Sequence, residues 1–193
     1  MKKINIRKST IIASFLILIL VLGIMYVLYT NNYANEEEKK IRNLCEKFLL
    51  AYQQGDEDTV SDMLAGLNEN DKVNLNGYAA IVGETIQYTV KKVEKIDENR
   101  YECQADIKAL DFPELAEDNR FLNQLTEDNI LETLKETIAN GEEPTNDYLV
   151  IVQVANENGE WKVLMDQEFS NALLGGYGDF YQQMMEEIVG EVE

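Results

Sequence analysis

The sequence predicts an α+β fold with an antiparallel sheet, carried behind a transmembrane helix. Three observations lead there. Apolar residues recur at three and four residues near both ends of the segment 30–193, stretches between them alternate at period two around turn signals, and residues 11–29 form an uncharged run.

The first element is that run, IIASFLILILVLGIMYVLY, which as a helix rising about 1.5 Å per residue spans roughly 28 Å, the depth of a hydrocarbon core. Lys2, Lys3, Arg7 and Lys8 precede it, while Glu36, Glu37 and Glu38 follow, so the positive-inside rule places residues 1–10 in the cytoplasm and the body outside. Tyr26, Tyr29 and Tyr33 sit where the helix would leave the bilayer. A cleaved signal peptide shares this design, but the apolar run exceeds the usual h-region of about 7–15 residues and no A-x-A site follows. The expectation is an uncleaved, single-pass anchor in the cell membrane with residues 30–193 as one extracytoplasmic domain.

Asn35 and Glu38 have the spacing of a helix cap, and Ile41, Leu44, Cys45, Phe48, Leu49 and Tyr52 then form one apolar stripe. Gly55 ends that helix and Asp56 caps a shorter one bearing Val60, Met63, Leu64 and Leu67. The stretch 68–77 reads as a loop. After Gly83 the period becomes two, with Ile86, Tyr88 and Val90 on one face; Asp97-Glu98-Asn99 turns the chain into a strand marked by Tyr101, Cys103, Ala105, Ile107 and Ala109. Pro113 suits a helix start, and Leu115, Leu122, Leu125, Leu131, Leu134 and Ile138 mark one long or two shorter helices stopped at Asn140-Gly141. The run 147–155 (DYLVIVQVA), apolar on both faces, predicts a central strand, which Asn158-Gly159 turns into a partner bearing Trp161, Val163 and Met165. Phe169, Leu173 and Leu174 precede a break at Gly175–Gly178, and a final helix carries Phe180, Met184 and Ile188.

Charge narrows the function. The chain has 17 bases, 36 acids, no histidine and a net charge of -19; residues 31–193 hold 13 of the bases and every acid. Such a body repels phosphate backbones, which excludes nucleic acid as a partner. Without histidine there is no Ser-His-Asp or Cys-His catalysis and no ordinary zinc site. Acid-rich stretches such as 56–58, 68–71 and 114–118 fit no calcium loop: the nearest, Lys72 to Gly77, has lysine at the first ligand position and Gly83 at the twelfth. Gly175–Gly178 lacks the Lys-Ser/Thr of a phosphate loop and is followed by Asp179, so it reads as a hinge or helix break. Neither a metal nor a cofactor is expected, and no residue is assigned to catalysis.

Cys45 to Leu64 (CEKFLLAYQQGDEDTVSDML) resembles the opening of the NTF2-like superfamily, with Phe48, Ala51, Gly55, Asp56 and Leu64 at the matching positions. The resemblance implies a cone-shaped domain, a curved antiparallel sheet packed by helices, and is to small extracytoplasmic members from Gram-positive bacteria. The long helical segment between the hairpins departs from the simplest order of that fold.

Three groups of residues stand out as candidate sites. Cys45 and Cys103 both point inward and could meet where helix packs on sheet, either as a disulfide or as two buried thiols acting as small hydrophobes. Tyr88, Tyr101, Asp106, Tyr148 and Trp161 are strand residues placed to line a conical pocket or to fill it. Phe180, Tyr181, Met184, Met185 and Ile188 give the last helix a Met-rich face that either closes the core or meets a partner. The function expected is a non-catalytic interaction or ligand-binding module, its partner an unknown protein or small ligand besides the membrane; the alternative is a small enzyme or ligand carrier using the cone.

Overall fold

The computed structural model describes residues 36–68, 71–124 and 129–190, with Asn119 and residues 187–190 by backbone alone. The chain divides into two units, Met1–Lys40 and Ile41–Glu193. Residues 36–53 are helical, and the part belonging to the second unit, 41–53, is called α1 below. The predicted membrane segment 11–29 lies outside the described residues, among which no helix is long and apolar enough to cross a membrane.

The body is α+β. After α1 come α2 (Glu57–Met63), α3 (Tyr78–Thr85), β1 (Gln87–Asp97), β2 (Arg100–Leu110), α4 (Phe112–Glu117), α5 (Asn119–Leu122), α6 (Ile130–Ala139), β3 (Thr145–Glu157), β4 (Glu160–Leu164), α7 (Gln167–Leu173) and α8 (Tyr177–Gly190). The strands form one curved antiparallel sheet in the order β1-β2-β3-β4.

The stripe on α1 buries Ile41, Cys45, Phe48, Leu49 and Tyr52 against one face of that sheet, which contributes Tyr101, Cys103, Ala105, Ile107, Val150, Val152, Val154 and Val163. Phe48 meets Phe169 of α7 at 5.8 Å between ring centroids, so α1 and α7 together roof this face. Arg42 fastens α1 to a bulge in β1 by donating from Nη1 to Val90 O (2.5 Å) and from Nη2 to Lys91 O (3.1 Å), where the register slips between Val90 and Lys92. The Gly55–Asp56 corner forms as read, with Gly55 at φ 66° and the Asp56 carboxylate accepting from Thr59 N.

Several expectations need correction. Residues 78–85, which no sequence signal assigns to an element, form α3; it is apolar on most sides and follows Gly77 with no side-chain cap, so neither periodicity nor a cap announces it. Ile86 precedes β1 as a buried residue rather than opening it. The segment after Pro113 forms α4, α5 and α6, and Asp118 makes the first break, ending one helix and accepting from Arg120 N to start the next. Leu115, Phe121 and Leu134 form a second core with Ile81, Val82 and Leu110, while Leu122 and Leu131 are exposed and Leu125 lies outside the described residues. β3 is an inner strand, as expected, but buries one face only. Val150, Val152 and Val154 face the core, whereas Leu149 is 65% and Ile151 39% exposed. Leu67 and Met165 likewise fall outside their predicted elements and are exposed.

Candidate functional site

β3 is 13 residues long and β4 only five. The Asn158-Gly159 turn, with φ 55° and 92°, is of the two-residue kind that fits the twist of a hairpin, and of β3 only Gln153 to Glu157 pair with β4. After Leu164 the chain turns away because Asp166 caps α7, its carboxylate accepting from Phe169 N at 2.8 Å. Among the described residues no strand continues β4 beside Thr145 to Val152. In a two-residue hairpin Glu157 and Glu160 exchange hydrogen bonds, so the alternation carries the N–H and C=O groups of Gln153 toward β4 and those of Ile151, Leu149 and Asp147 toward its missing continuation. Asn156 N accordingly donates to Asn99 O on the β2 side, and Asp147 N finds only its neighbour's side chain, Asn146 Oδ1.

This open half-strand borders a cleft of about 960 Å³ between β3, the start of α7 and the start of α8. Asp147, Asp166, Glu168 and Asp179 stand on its walls with Tyr148, Gln153, Gln167 and Asn171, and among the described residues no lysine or arginine lines it. The far wall is held by hydrogen bonds and close packing. Asn171 is buried on α7, donates from Nδ2 to Asp179 Oδ2 (2.8 Å) and accepts from Asp179 N (3.0 Å), so one side chain both caps α8 and holds its first carboxylate. Gly175 and Gly176, both at positive φ, pass so close to β2 and Tyr148 that a Cβ on either would lie 2.5 Å from Leu110 O or 2.8 Å from Tyr148 Oη. Burial, and then the charge of Asp111, raise the pKa of Tyr148 above its ordinary value, so the phenol at the cleft stays protonated.

The residues singled out from sequence are distributed differently. Tyr88 and Tyr148 flank Ile107 at one end of the covered face, Tyr88 donating to Glu46 O (3.3 Å), while Tyr101 and Trp161 meet edge to face at 5.1 Å at the other end. Asp106 is on the opposite face, paired with Lys91 (2.9 Å). The five line no common pocket, because strand parity and the fill of Phe48, Ile107, Val152 and Phe169 separate them. On the last helix Phe180 is already engaged by Phe112 (5.1 Å), and Tyr181 stacks on Tyr177 (6.5 Å). Met184 and Met185 are about 40% exposed, and the side chain of Ile188 lies outside the described residues. α8 packs on α4 and α7.

Cys45 and Cys103 do come together. Both are fully buried free thiols with the sulfurs 2.9 Å apart. The Cys45 thiol donates to Cys103 Sγ; this bond, and then burial, push its pKa well up, while the same bond pulls that of Cys103 down.

Sequence reasoning missed Leu149, Ile151, Asp166, Asn171 and Asp179. The available signal was length, a long β3 segment facing a short β4, together with Asp166 three residues before Phe169. Among the described residues no group of three or more acids or cysteines is arranged to hold a metal ion. Comparison with protein-family models, with curated proteins and with solved structures returned no match.

Proposed function

We propose that the chain is a non-catalytic interaction module, held at the outer face of the cell membrane by residues 11–29, whose binding element is the open half of β3. Its ligand is an extended, positively charged segment of another protein, added to the sheet as a fifth strand over part of its length. The observation that carries this is the juxtaposition of outward backbone groups at Asp147, Leu149 and Ile151 with a cleft bearing four carboxylates and no base. An added strand takes its affinity from those main-chain groups and its selectivity from flanking side chains. Here the exposed Leu149 and Ile151 offer apolar contact and the acids favour lysine or arginine.

The uncharged run with four bases before it supports the anchor and its orientation. The Gly55–Asp56 corner leading into a curved antiparallel sheet supports kinship with the NTF2-like superfamily. A carrier or enzyme of that shape needs a hollow cone, and the filling of the helix-covered face by Phe48, Tyr101, Ile107 and Phe169 weighs for a module that binds at its edge.

The test uses the full chain, isotope-labelled in detergent, titrated with a heptapeptide of alternating lysine and valine. The amides of Leu149 and Ile151 should shift most, and binding should weaken steeply with salt. A peptide with proline at alternate positions should not bind. Equal binding of the proline peptide, or shifts confined to the Met184–Met185 surface, would refute the edge as the site.

A further inference from the structure

We infer that Cys45 and Cys103 are a built cross-linking site, closed in the exported protein into a disulfide that ties α1 to the centre of the sheet. They are the two cysteines of the chain, 58 residues apart in sequence. The fold brings their sulfurs to 2.9 Å, within about 1 Å of the bonded separation of about 2.05 Å. Each sits in packed secondary structure. Cys103 is on an inner strand between Val93 and Val152, and Cys45 is in the middle of the α1 stripe, flanked by Ile41 and Leu49.

Two small hydrophobes would pack there as well, but apolar packing does not require both to be cysteine or their sulfurs to be aimed at one another. The inference rests on the proposed extracytoplasmic location, where disulfides persist. The oxidant is the disulfide of a thiol–disulfide oxidoreductase. One cysteine, as thiolate, attacks a sulfur of that disulfide and expels the other as a thiolate. The second cysteine then attacks the mixed disulfide, so the Cys45–Cys103 bond forms, and the two protons and two electrons that the cysteines give up convert the oxidant's disulfide into its dithiol. Because both sulfurs are wholly buried in the finished fold, the exchange belongs to folding, before α1 settles on the sheet. Once closed, the bond is shielded from reductants and is structural in kind, not a switch.

The experiment has two arms. In the first, full chain is denatured, reduced and refolded in detergent with glutathione disulfide as the probe, then alkylated in denaturant without reductant. The expected product has lost two hydrogens, about 2 Da, carries no alkyl group, and melts roughly 10 °C above the Cys45→Ala variant, as a loop of this length predicts for a domain of this size. Two alkylated thiols would overturn the proposal. In the second arm, chain is taken from membranes under immediate acid trapping, with the side of the body read independently by protease added to intact cells. A protease-accessible body with no alkylatable thiol supports the cross-link; an accessible body with two free thiols overturns it. A protected body with two free thiols overturns instead the exported location on which it stands.

Discussion

Replacing Gly175 with alanine should destabilise the fold far more than the same change at Gly141, and the difference measures how tightly the α7–α8 turn is pressed on the sheet. Both glycines have positive φ, 60° and 67°, so each alanine incurs the left-handed penalty of about 1–2 kcal/mol. At Gly141 nothing lies within 4 Å of the new Cβ and the cost stops there. At Gly175 the Cβ would sit 2.5 Å from Leu110 O and 3.1 Å from Leu110 Cβ. The opposing carbonyl cannot retreat easily. Leu110 ends β2, Asp111 N donates to Pro144 O (2.8 Å), and Phe112 N donates to Gly175 O itself (2.8 Å). Relief by at least about 0.5 Å must therefore break or stretch that last bond, an overpacking cost of about 1–3 kcal/mol, for a total near 2–5 kcal/mol. Against a usual stability of about 5–15 kcal/mol this is a large fraction. Urea unfolding of the full chain in detergent, followed by the fluorescence of Trp161, the chain's one tryptophan, gives both values. Losses equal within about 0.5 kcal/mol would refute the close approach. The same displacement would carry Asp179 out of the cleft, so Gly175→Ala should also weaken peptide binding in protein that remains folded.

Three further outcomes follow from the described contacts. Tyr52 is buried and donates to Leu173 O, and burial pushes its pKa from 10.0 up to about 12. Its contribution is complete below pH 10 and is lost as pH rises toward 12, about 2–3 kcal/mol in all. Tyr52→Phe should flatten stability across that window, leaving the share of Tyr78, also raised by burial; an unchanged alkaline fall would contradict the assignment. Asn171→Ala should cost about 1–3 kcal/mol by leaving Asp179 N without its acceptor, and hydrogen exchange should speed up through α8 while α1 and the sheet keep their protection. Asp166→Ala should cost about 1 kcal/mol in urea unfolding and Asp166→Asn much less, since the α7 cap needs a side-chain oxygen more than a charge.

What the sequence conveyed about this molecule tracks how local each signal is. The α1 stripe, the Gly55–Asp56 corner, the alternation of β2 and the two hairpin turns are written within a few residues, and the structure has them all. α3 was invisible because a short, mostly apolar helix without a cap has no period to read. The exposed face of β3 was misread for a related reason: Leu149 and Ile151 look like core, and only the absence of a covering layer, a property of the whole sheet, leaves them in solvent. The cleft has the same origin. Asp147, Asp166, Glu168 and Asp179 are scattered over 33 positions of an acidic chain, and only the stop of β4 at Leu164 and the fold-back of α7 gather them at one edge. The meeting of Cys45 and Cys103, by contrast, followed from two local periods, one helical and one extended, each pointing its cysteine inward.

An open strand edge beside exposed leucine and isoleucine is a hazard in any protein, since a second copy can pair with it. Here the hazard and the proposed function are controlled by the same charges. Two copies docking edge to edge would bring eight carboxylates into one cleft with no base among the lining residues of either. Such groups, within a Debye length of about 8 Å at physiological salt, repel one another, whereas a lysine-bearing strand turns each repulsion into attraction. Neutralising Asp147 and Glu168 as Asp147→Asn and Glu168→Gln leaves both the α7 cap and the Asn171–Asp179 clamp in place. The double variant should lose affinity for the cationic peptide and gain concentration-dependent self-association, both read by sedimentation velocity in a fixed detergent. Wild-type chain should show the second effect, weakly, in high salt. A double variant that binds the peptide as before and stays monomeric would mean that the carboxylates neither guard the edge nor select its partner.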